Sequence, residues 1–505
     1  METEFKFRIP PERLKAVEAA LRRGAVQRTR LQARYFDTPE GALAARHIVL
    51  RLRKEGRRWV QTVKAAGDGP LQRLEHNVDL GVARVGQPPS PDVLRHAGTA
   101  VGELLVAALA DAGTPPLVES YATDVWRLTR DVRAGGAVVE LALDLGRITA
   151  QVGSAEAPET RTAPVCELEL ELKRGDVRGL VALAQRWSQQ HGLWFSTVSK
   201  AECGARLLAG RDRVPAVKAA PPRAFAATPD GRTVQRAVVA NALAQILPNA
   251  SEIAAGDADE EQIHQLRIGV RRLRTALREL SALDPLAFDA AWQAPLADAF
   301  RALGEQRDRS QCLQLLQPRL EAVGAPPITL PPGPADGVSA ADVVRAPAFQ
   351  SVLVALIGFA ADPAAGQGAP LDAPAVLRHL RARLQRLHRH GVDDAAQFET
   401  LASELQHGAR KRLKRLRYLA EFVAPLFAQN KKAARYLKRL GPAQDALGLF
   451  NDEAVALGLY REASAQDPHA WFAVGWLVAR QPAGAAASGK ALGKIAKGPR
   501  FWKKR

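Results

Sequence analysis

Two stretches of this chain alternate charge with large apolar residues: Glu2, Glu4 and Lys6 at its start, and Glu167, Glu169, Glu171 and Lys173 165 residues later. A β-strand turns successive side chains to opposite faces. Each run therefore puts its charges on one face, and Phe5 and Phe7, or Leu168, Leu170 and Leu172, on the other. Both faces of such a strand have to be accommodated. The apolar face requires cover, and a wall of carboxylates facing inward is costly unless a metal or cations neutralise it.

The surrounding sequence supplies cations at the same spacing. Strands are predicted at 2–9, 31–36, 47–54, 58–65, 73–80, 121–131, 137–145 and 165–173, with helices at 11–22, 102–111 and 176–190. Arg51 and Arg53 share a face of one strand and Lys64 ends the next. Arg73 and Glu75 share another face, as do Glu140 and Asp144, and Arg127 and Lys200 complete the set. If these strands close on one another, the interior is a charged tunnel, acidic on part of its wall and basic on the rest. Carboxylates are hard ligands for Mg²⁺ or Mn²⁺, and Arg and Lys clamp phosphate oxygens. A linear oligophosphate fits that division of labour. An isolated strand of this kind is ordinarily a wet face with surface ion pairs; the second acidic strand and the paired arginines are what argue for a site.

The chain has 505 residues, which calls for two or three domains, and a net charge of +18, which favours a polyanionic partner. Its three cysteines, Cys166, Cys203 and Cys312, lack metal-ligand spacing and fit a reducing compartment. No signal peptide or membrane span is predicted, so the expected location is the cytoplasm.

Past a Pro/Ala-rich linker at 211–230 the periodicity becomes helical. His264, Arg267, Arg271 and Arg274 share the spacing of His407, Arg410, Lys414 and Arg417, which lie 143 residues further on. Each set forms one polar stripe on a helix. Beside the stripes run the apolar seams Ile263, Leu266, Val270, Leu273, Leu277 and Leu280, and Leu405, Ala409, Leu413, Leu416, Ala420 and Val423. Two related helical-bundle units with their stripes on a common surface are expected. Arg410–Arg417 holds six cations and no acid, a density that repels itself without a counter-anion. Aromatic residues are sparse there, so nucleic acid ranks below a polymer of phosphate alone.

Residues 1–210 resemble the CYTH superfamily, the triphosphate tunnel metalloenzymes. The resemblance rests on Glu2-Thr-Glu4-Phe-Lys6, Tyr35-Phe-Asp-Thr-Pro39, Leu50-Arg51-Leu-Arg53, Gln61-Thr-Val-Lys64, the strand Cys166–Lys173 and Ser199-Lys200-Ala-Glu202. It implies an eight-stranded antiparallel barrel enclosing a tunnel, with flanking helices. It further implies that Glu2, Glu4, Glu169 and Glu171 face metal, with Glu167 an additional candidate. Lys6, Arg51, Arg53, Lys64, Arg127 and Lys200 would bind phosphate, with Arg73 alongside, and Lys6 would position water or polarise the attacked phosphorus. Glu75, Glu140 and Asp144 would be further tunnel acids.

Residues 231–485 resemble a CHAD domain through HQLRIGVRRLR at 264–274, Leu303-Gly-Glu-Gln-Arg-Asp308, and Lys414-Arg-Leu-Arg-Tyr418. Where the family pattern has Leu-Gln-Asp-Leu-Leu-Gly, this chain has Ala443-Gln-Asp-Ala-Leu-Gly448. The resemblance implies an all-α, double four-helix-bundle-like domain that binds polyphosphate through the two basic stripes. A basic tail, 486–505, ends the chain. Together these readings predict an α+β two-domain protein: an Mg²⁺- or Mn²⁺-dependent inorganic triphosphatase, cleaving tripolyphosphate to pyrophosphate and phosphate, with a module for long-chain polyphosphate and its granules. The alternatives are a non-catalytic polyphosphate-binding or granule-associated protein, and a triphosphatase for nucleoside, thiamine or RNA triphosphates.

Overall fold

The computed structural model describes residues 2–67, 71–82, 88–154, 157–225, 227–256, 258–330, 338–364, 368–427 and 430–503, with the side chains of all but 2, 72, 154, 157, 158, 305–315 and 430. Two compact units emerge, and they are not consecutive in sequence. The first comprises Met1–Val217, Leu243–Gln262 and Ala341–Pro363; the second comprises Lys218–Ala242, Ile263–Ala340 and Ala364–Arg505.

The first unit is built on one antiparallel sheet. Its strands are β1 (Glu2–Arg8), β2 (Gln27–Asp37), β3 (Val49–Glu55), β4 (Arg58–Ala66), β5 (Gln72–Val82), β6 (Val118–Ala134), β7 (Ala137–Ser154), β8 (Ala157–Arg174) and β9 (Trp194–Phe195), in the order β5-β4-β3-β2-β6-β7-β8-β1-β9. This corrects the expected eight-stranded barrel: the sheet has nine strands. The reason lies in β1. One edge pairs with β8 from Glu4↔Glu171 to Arg8↔Glu167. The other is divided, meeting β5 only at Glu2↔Arg73 and Thr3↔Gln72 and β9 at Phe7↔Phe195 and Arg8↔Trp194. A two-residue strand carries no periodicity, so β9 left no trace in the sequence pattern.

Alternation along the strands sorts the faces as the sequence predicts. Phe5, Phe7, Leu50, Leu52, Leu141, Leu143, Leu168 and Leu170 are buried together with the helices that cover the sheet. Those helices are α1 (Leu14–Leu21), α2 (Ala100–Asp111) and α3 (Val177–His191), whereas α4 (Lys200–Ala209) packs on the other face, where Cys203 and Leu207 meet Tyr121, Val125, Ile148 and Val165. α2 sets Val101, Leu105, Ala108 and Leu109 against Leu50 and Val63. The opposite face of the sheet holds the charges.

The remaining helices are α5 (Gly231–Ala255), α6 (Glu260–Glu279), α7 (Gln293–Glu321), α8 (Ala340–Arg345), α9 (Pro347–Ala361), α10 (Ala373–Gln397), α11 (Ser403–Val423), α12 (Asn430–Ala463) and α13 (Ala470–Gly493). In the second unit both apolar seams are buried, through Leu266, Val270, Leu273 and Leu277 on α6 with Leu280 just past its end, and Ala409, Leu413, Leu416, Ala420 and Val423 on α11. Leu405, in the first turn of α11, is 52% exposed and stands outside the seam. The end of the chain is more than a basic tail: Phe501 and Trp502 are fully buried, their rings 5.0 Å apart, with Trp502 4.8 Å from Tyr436. Among the described residues no helix is long and apolar enough to cross a membrane.

Candidate active site

The charged face of the sheet encloses a cavity of about 490 Å³, within the range of small-ligand sites. Strand alternation brings Glu4 and Lys6 to it from β1, Arg51 and Arg53 from β3, Lys64 from β4, and Arg73 and Glu75 from β5. Arg127 reaches it from β6, Glu140 and Asp144 from β7, Glu169, Glu171 and Lys173 from β8, and Lys200 from the first turn of α4. Glu167 is buried beside this group and pairs with Lys200. The side chain of Glu2 lies outside the described residues, as does that of Asp308. Every other first-unit residue singled out from the sequence therefore lies on the cavity wall or one ion pair from it.

The densest part of the wall is a cluster around Lys200. Its ammonium lies 2.7 Å from Asp144 and 2.9 Å from Glu169, and also pairs with Glu167. Arg127 donates Nε to Asp144 Oδ1 at 2.7 Å and pairs with Glu169. Burial works against these charges, yet Lys200 and Arg127 hold the Glu169 carboxyl well below the usual range. Reciprocally, Asp144, Glu167 and Glu169 outweigh burial and hold Lys200 well above its ordinary value. Elsewhere Lys64 pairs with Glu75 at 2.6 Å, Arg73 with Glu4 at 3.5 Å, and Lys173 with Glu171 and Glu140 at 3.3 and 3.5 Å.

At two places on the wall burial works against the charged form even though counter-charges are paired there. Burial and the neighbouring Glu169 push the Glu4 carboxyl up, against the pull of Lys64, Arg73 and Lys6. Burial and the adjacent Arg51 pull the Arg53 guanidinium down to about 10, even with Glu55 paired to it. Lys6 is buried and lowered by that burial, opposed by Glu167 and reinforced by Arg73. The acidic region calls for a cation and the basic region for an anion.

Asp144, Glu167 and Glu169 each offer an oxygen within 4.8 Å of the others, which makes them a candidate metal cluster. Their hard carboxylate oxygens suit Mg²⁺ or Mn²⁺. The donor chemistry fits a divalent cation, with Lys200 as the group that shares those oxygens. Glu4 and Glu171, paired across β1 and β8, add carboxylates to the same wall.

Sequence reasoning gave no role to Tyr35, Asn77, Thr123 or Ser199, which also line the cavity. Tyr35 bonds Arg51 and stacks on Tyr121 with centroids 4.6 Å apart. Its place in the Tyr35-Phe-Asp-Thr-Pro39 segment was the available signal.

In the second unit the two basic stripes come close together. Lys414 on α11 is depressed to about 6, first by burial and then by Arg271 and Arg410, with Asp452 opposing and Arg267 adding to the repulsion. Arg271 donates to the Tyr418 hydroxyl at 3.1 Å. Arg267, Arg271 and Arg274 lie over the ring of Phe300 at 5.2, 6.0 and 5.8 Å, so an unforeseen aromatic supports the first stripe. His264 heads that stripe on α6. On the second, His407 bonds Asn451 at 3.1 Å, Arg410 lies 4.0 Å from Asp452, and Arg417 donates to Glu421 at 2.7 Å.

A CYTH domain model matches residues 1–204 and a CHAD domain model matches residues 237–461. An inorganic triphosphatase of Haemophilus influenzae is 29% identical over 173 residues, which is 34% of this chain and 44% of that protein, so the match spans less than half of the relative's length. The crystal structure of the CHAD domain from the plant Ricinus communis is 27% identical, covering 55% of this chain and 96% of that one, with a TM-score of 0.45. A putative adenylyl cyclase from Hippeastrum, described as having a dominant triphosphatase activity, is 18% identical over 42% of this chain and 97% of its own, with a TM-score of 0.29. The chain thus carries an N-terminal CYTH domain and a C-terminal CHAD domain, an architecture of the triphosphate tunnel metalloenzyme type.

Proposed function

We propose that this protein is a divalent-metal-dependent hydrolase of phosphoanhydride bonds whose preferred substrate is inorganic tripolyphosphate, and that its CHAD domain binds longer polyphosphate along the two basic stripes. One observation carries the reading: six carboxylates and eight cations line a single cavity. Arg51, Arg53, Arg73 and Lys64 supply donors for the oxygens of a short phosphate chain. No nucleophilic side chain is required, because phosphoryl transfer needs positioning and charge stabilisation above all.

Water attacks the terminal phosphorus, the bridging P–O bond breaks, and pyrophosphate leaves with orthophosphate and a proton as the other products. Lys6, buried next to Glu4 and Glu169, holds the attacked phosphoryl group or the water against it. Lys200 and Arg127 fix the carboxylates of Asp144 and Glu169. Bound Mg²⁺ or Mn²⁺, on the carboxylates of Glu4, Glu169 and Glu171 or of the Asp144 cluster, would neutralise phosphate charge and acidify water.

The test is phosphate release by the full chain with Mg²⁺ or Mn²⁺ from tripolyphosphate, ATP and thiamine triphosphate in parallel. Tripolyphosphate is expected to give the highest kcat/KM, and Lys200→Met to lower kcat by about 10²–10³-fold, the scale of losing one preorganised charge-stabilising group. A folded wild-type protein without release from any of the three would overturn the hydrolase reading, and a higher kcat/KM for ATP would overturn the substrate.

A further inference from the structure

The segment that links the cavity's two best-buried lysines is contacted by residues far beyond the CYTH match. Lys200 opens α4, whose N-cap Ser199 accepts from the Glu202 amide and, with Lys200 and Ala201, forms part of the cavity wall. On its inner side α4 lies tight on the sheet. Gly204 is buried against Tyr121 so closely that a Cβ would come within 2.3 Å of the ring, and Cys203 and Leu207 meet Val125, Ile148 and Val165. At its first turn Lys200 is held by its ion pairs with Asp144, Glu167 and Glu169.

The outer side of α4 is tied down as well. Arg206 donates to Glu252 of α5, Nη2 to Oε1 at 2.6 Å and Nη1 to Oε2 at 3.2 Å, while keeping Glu202 at 2.6 Å. Glu252 is almost fully buried, so this charge pair has a defined geometry rather than the loose one of a surface bridge. Next to it, Ser251 accepts from the Thr197 amide at 3.0 Å. Gln350 of α9 accepts from the Phe195 amide at 2.8 Å and is itself held by donating to Val344 O at 2.8 Å. Between Phe195 and Thr197, the Ser196 amide donates to the Lys6 carbonyl at 2.9 Å. One short segment, 194–200, therefore connects to Lys6 at one point and carries Lys200 at its end. Its outer contacts are Ser251, Glu252 and Gln350.

We propose that Glu252, assisted by Ser251 and Gln350, is a positioning residue for the hydrolytic site, so that parts of α5 and α9 complete a cavity they do not line. The inference rests on the hydrolase reading above and deepens it. It explains why 243–262 and 341–363 belong to the same compact unit as the sheet although the CHAD match takes them in. These residues touch no reacting atom. They act through the placement of Lys200 and Lys6.

The test uses the full chain. Glu252→Ala leaves Arg206 its Glu202 partner, so folding is expected to survive. kcat on tripolyphosphate should fall about tenfold with KM changed less than about twofold, as misplacing a catalytic group predicts. Glu252→Asp, which keeps the ion pair, should recover to within about threefold of wild type. A lower Tm with unchanged kcat would show a merely structural role and overturn the proposal. Should Glu252→Ala fail to fold, the double variant Ser251→Ala with Gln350→Ala is expected to show the same loss of kcat, and wild-type kcat in it would overturn the proposal. A wild-type protein that releases no phosphate would overturn the hydrolase reading instead. In that case the proposal, which rests on that reading, falls with it.

Discussion

Lys414 makes the affinity of the helical domain for polyphosphate depend on pH in a way that can be worked out in advance. In the free protein its ammonium is depressed to about 6 by burial and by Arg271, Arg410 and Arg267, with Asp452 of α12 the only opposing group among the main contributors. A polyanion laid across the stripes supplies the missing counter-charge and restores the proton. With a free pKa near 6, the lysine is about 99% neutral at pH 8 and half charged at pH 6, so recharging it costs about 2.7 kcal/mol at pH 8. Affinity should accordingly fall by up to about fifty-fold between pH 6 and pH 8, with uptake of nearly one proton per bound site at the upper end. His407, on the same helix, is itself lowered below its ordinary value by burial and by Lys411. Calorimetry with long-chain polyphosphate in HEPES and in Tris at each pH reads the proton uptake directly. Lys414→Arg, charged throughout, should flatten the profile and bind more tightly than wild type at pH 8. Lys414→Met, which cannot take up the proton, should lose the pH dependence and bind more weakly than wild type at both pH 6 and pH 8. A wild-type profile as flat as that of the arginine variant, without proton uptake, would refute the reasoning.

Two further substitutions probe how the site and the helical unit are held. Gly204→Ala would place a Cβ 2.3 Å from the Tyr121 ring; overpacking of this kind costs about 1–3 kcal/mol, and a melting curve identical to wild type would mean that α4 does not press on the sheet as described. Trp502→Ala empties a site shared with Tyr436 and Phe501 and removes the bond to Gln385 at 3.3 Å. A loss of about 3–5 kcal/mol is expected in denaturant unfolding of the helical unit, whereas an unchanged midpoint would show that the end of the chain adds nothing to its core.

How much of this could be read from the sequence follows from how local each cause is. Strand periodicity is set by adjacent residues, so Glu4, Lys6, Arg51, Arg53, Glu169 and Glu171 could be assigned to one face, and the cavity contains them all. The seams of α6 and α11 were legible for the same reason, because 3.6-residue spacing is a property of the segment itself. Elements defined by a partner were not. β9 is two residues long and exists only as an edge of β1. Phe501 and Trp502 sit in a run whose lysines and arginine read as a solvated tail, and only the pocket around Tyr436 makes them core. Phe300 has no special spacing and becomes part of the basic surface because three arginines lie over it.

The division of the chain into units follows the same logic and bears on function. Composition and the linker argue for a boundary near 211–230; in the structure the chain leaves the first compact unit after Val217 and returns to it at Leu243 and Ala341. Yet burial assigns Glu252 and Gln350 to the unit containing the sheet, through bonds to residues 46 and 155 positions away. Such pairings leave no periodic trace, since a glutamate on a helix looks the same whether it faces water or a buried arginine. The cost of leaving one unpaired is nevertheless large. A charged cavity needs its lysines held against mutual repulsion, and the groups that hold them are selected for position rather than pattern. The face that carries the chemistry is thus readable from alternation, while the contacts that aim it become visible only once the chain has folded back on itself.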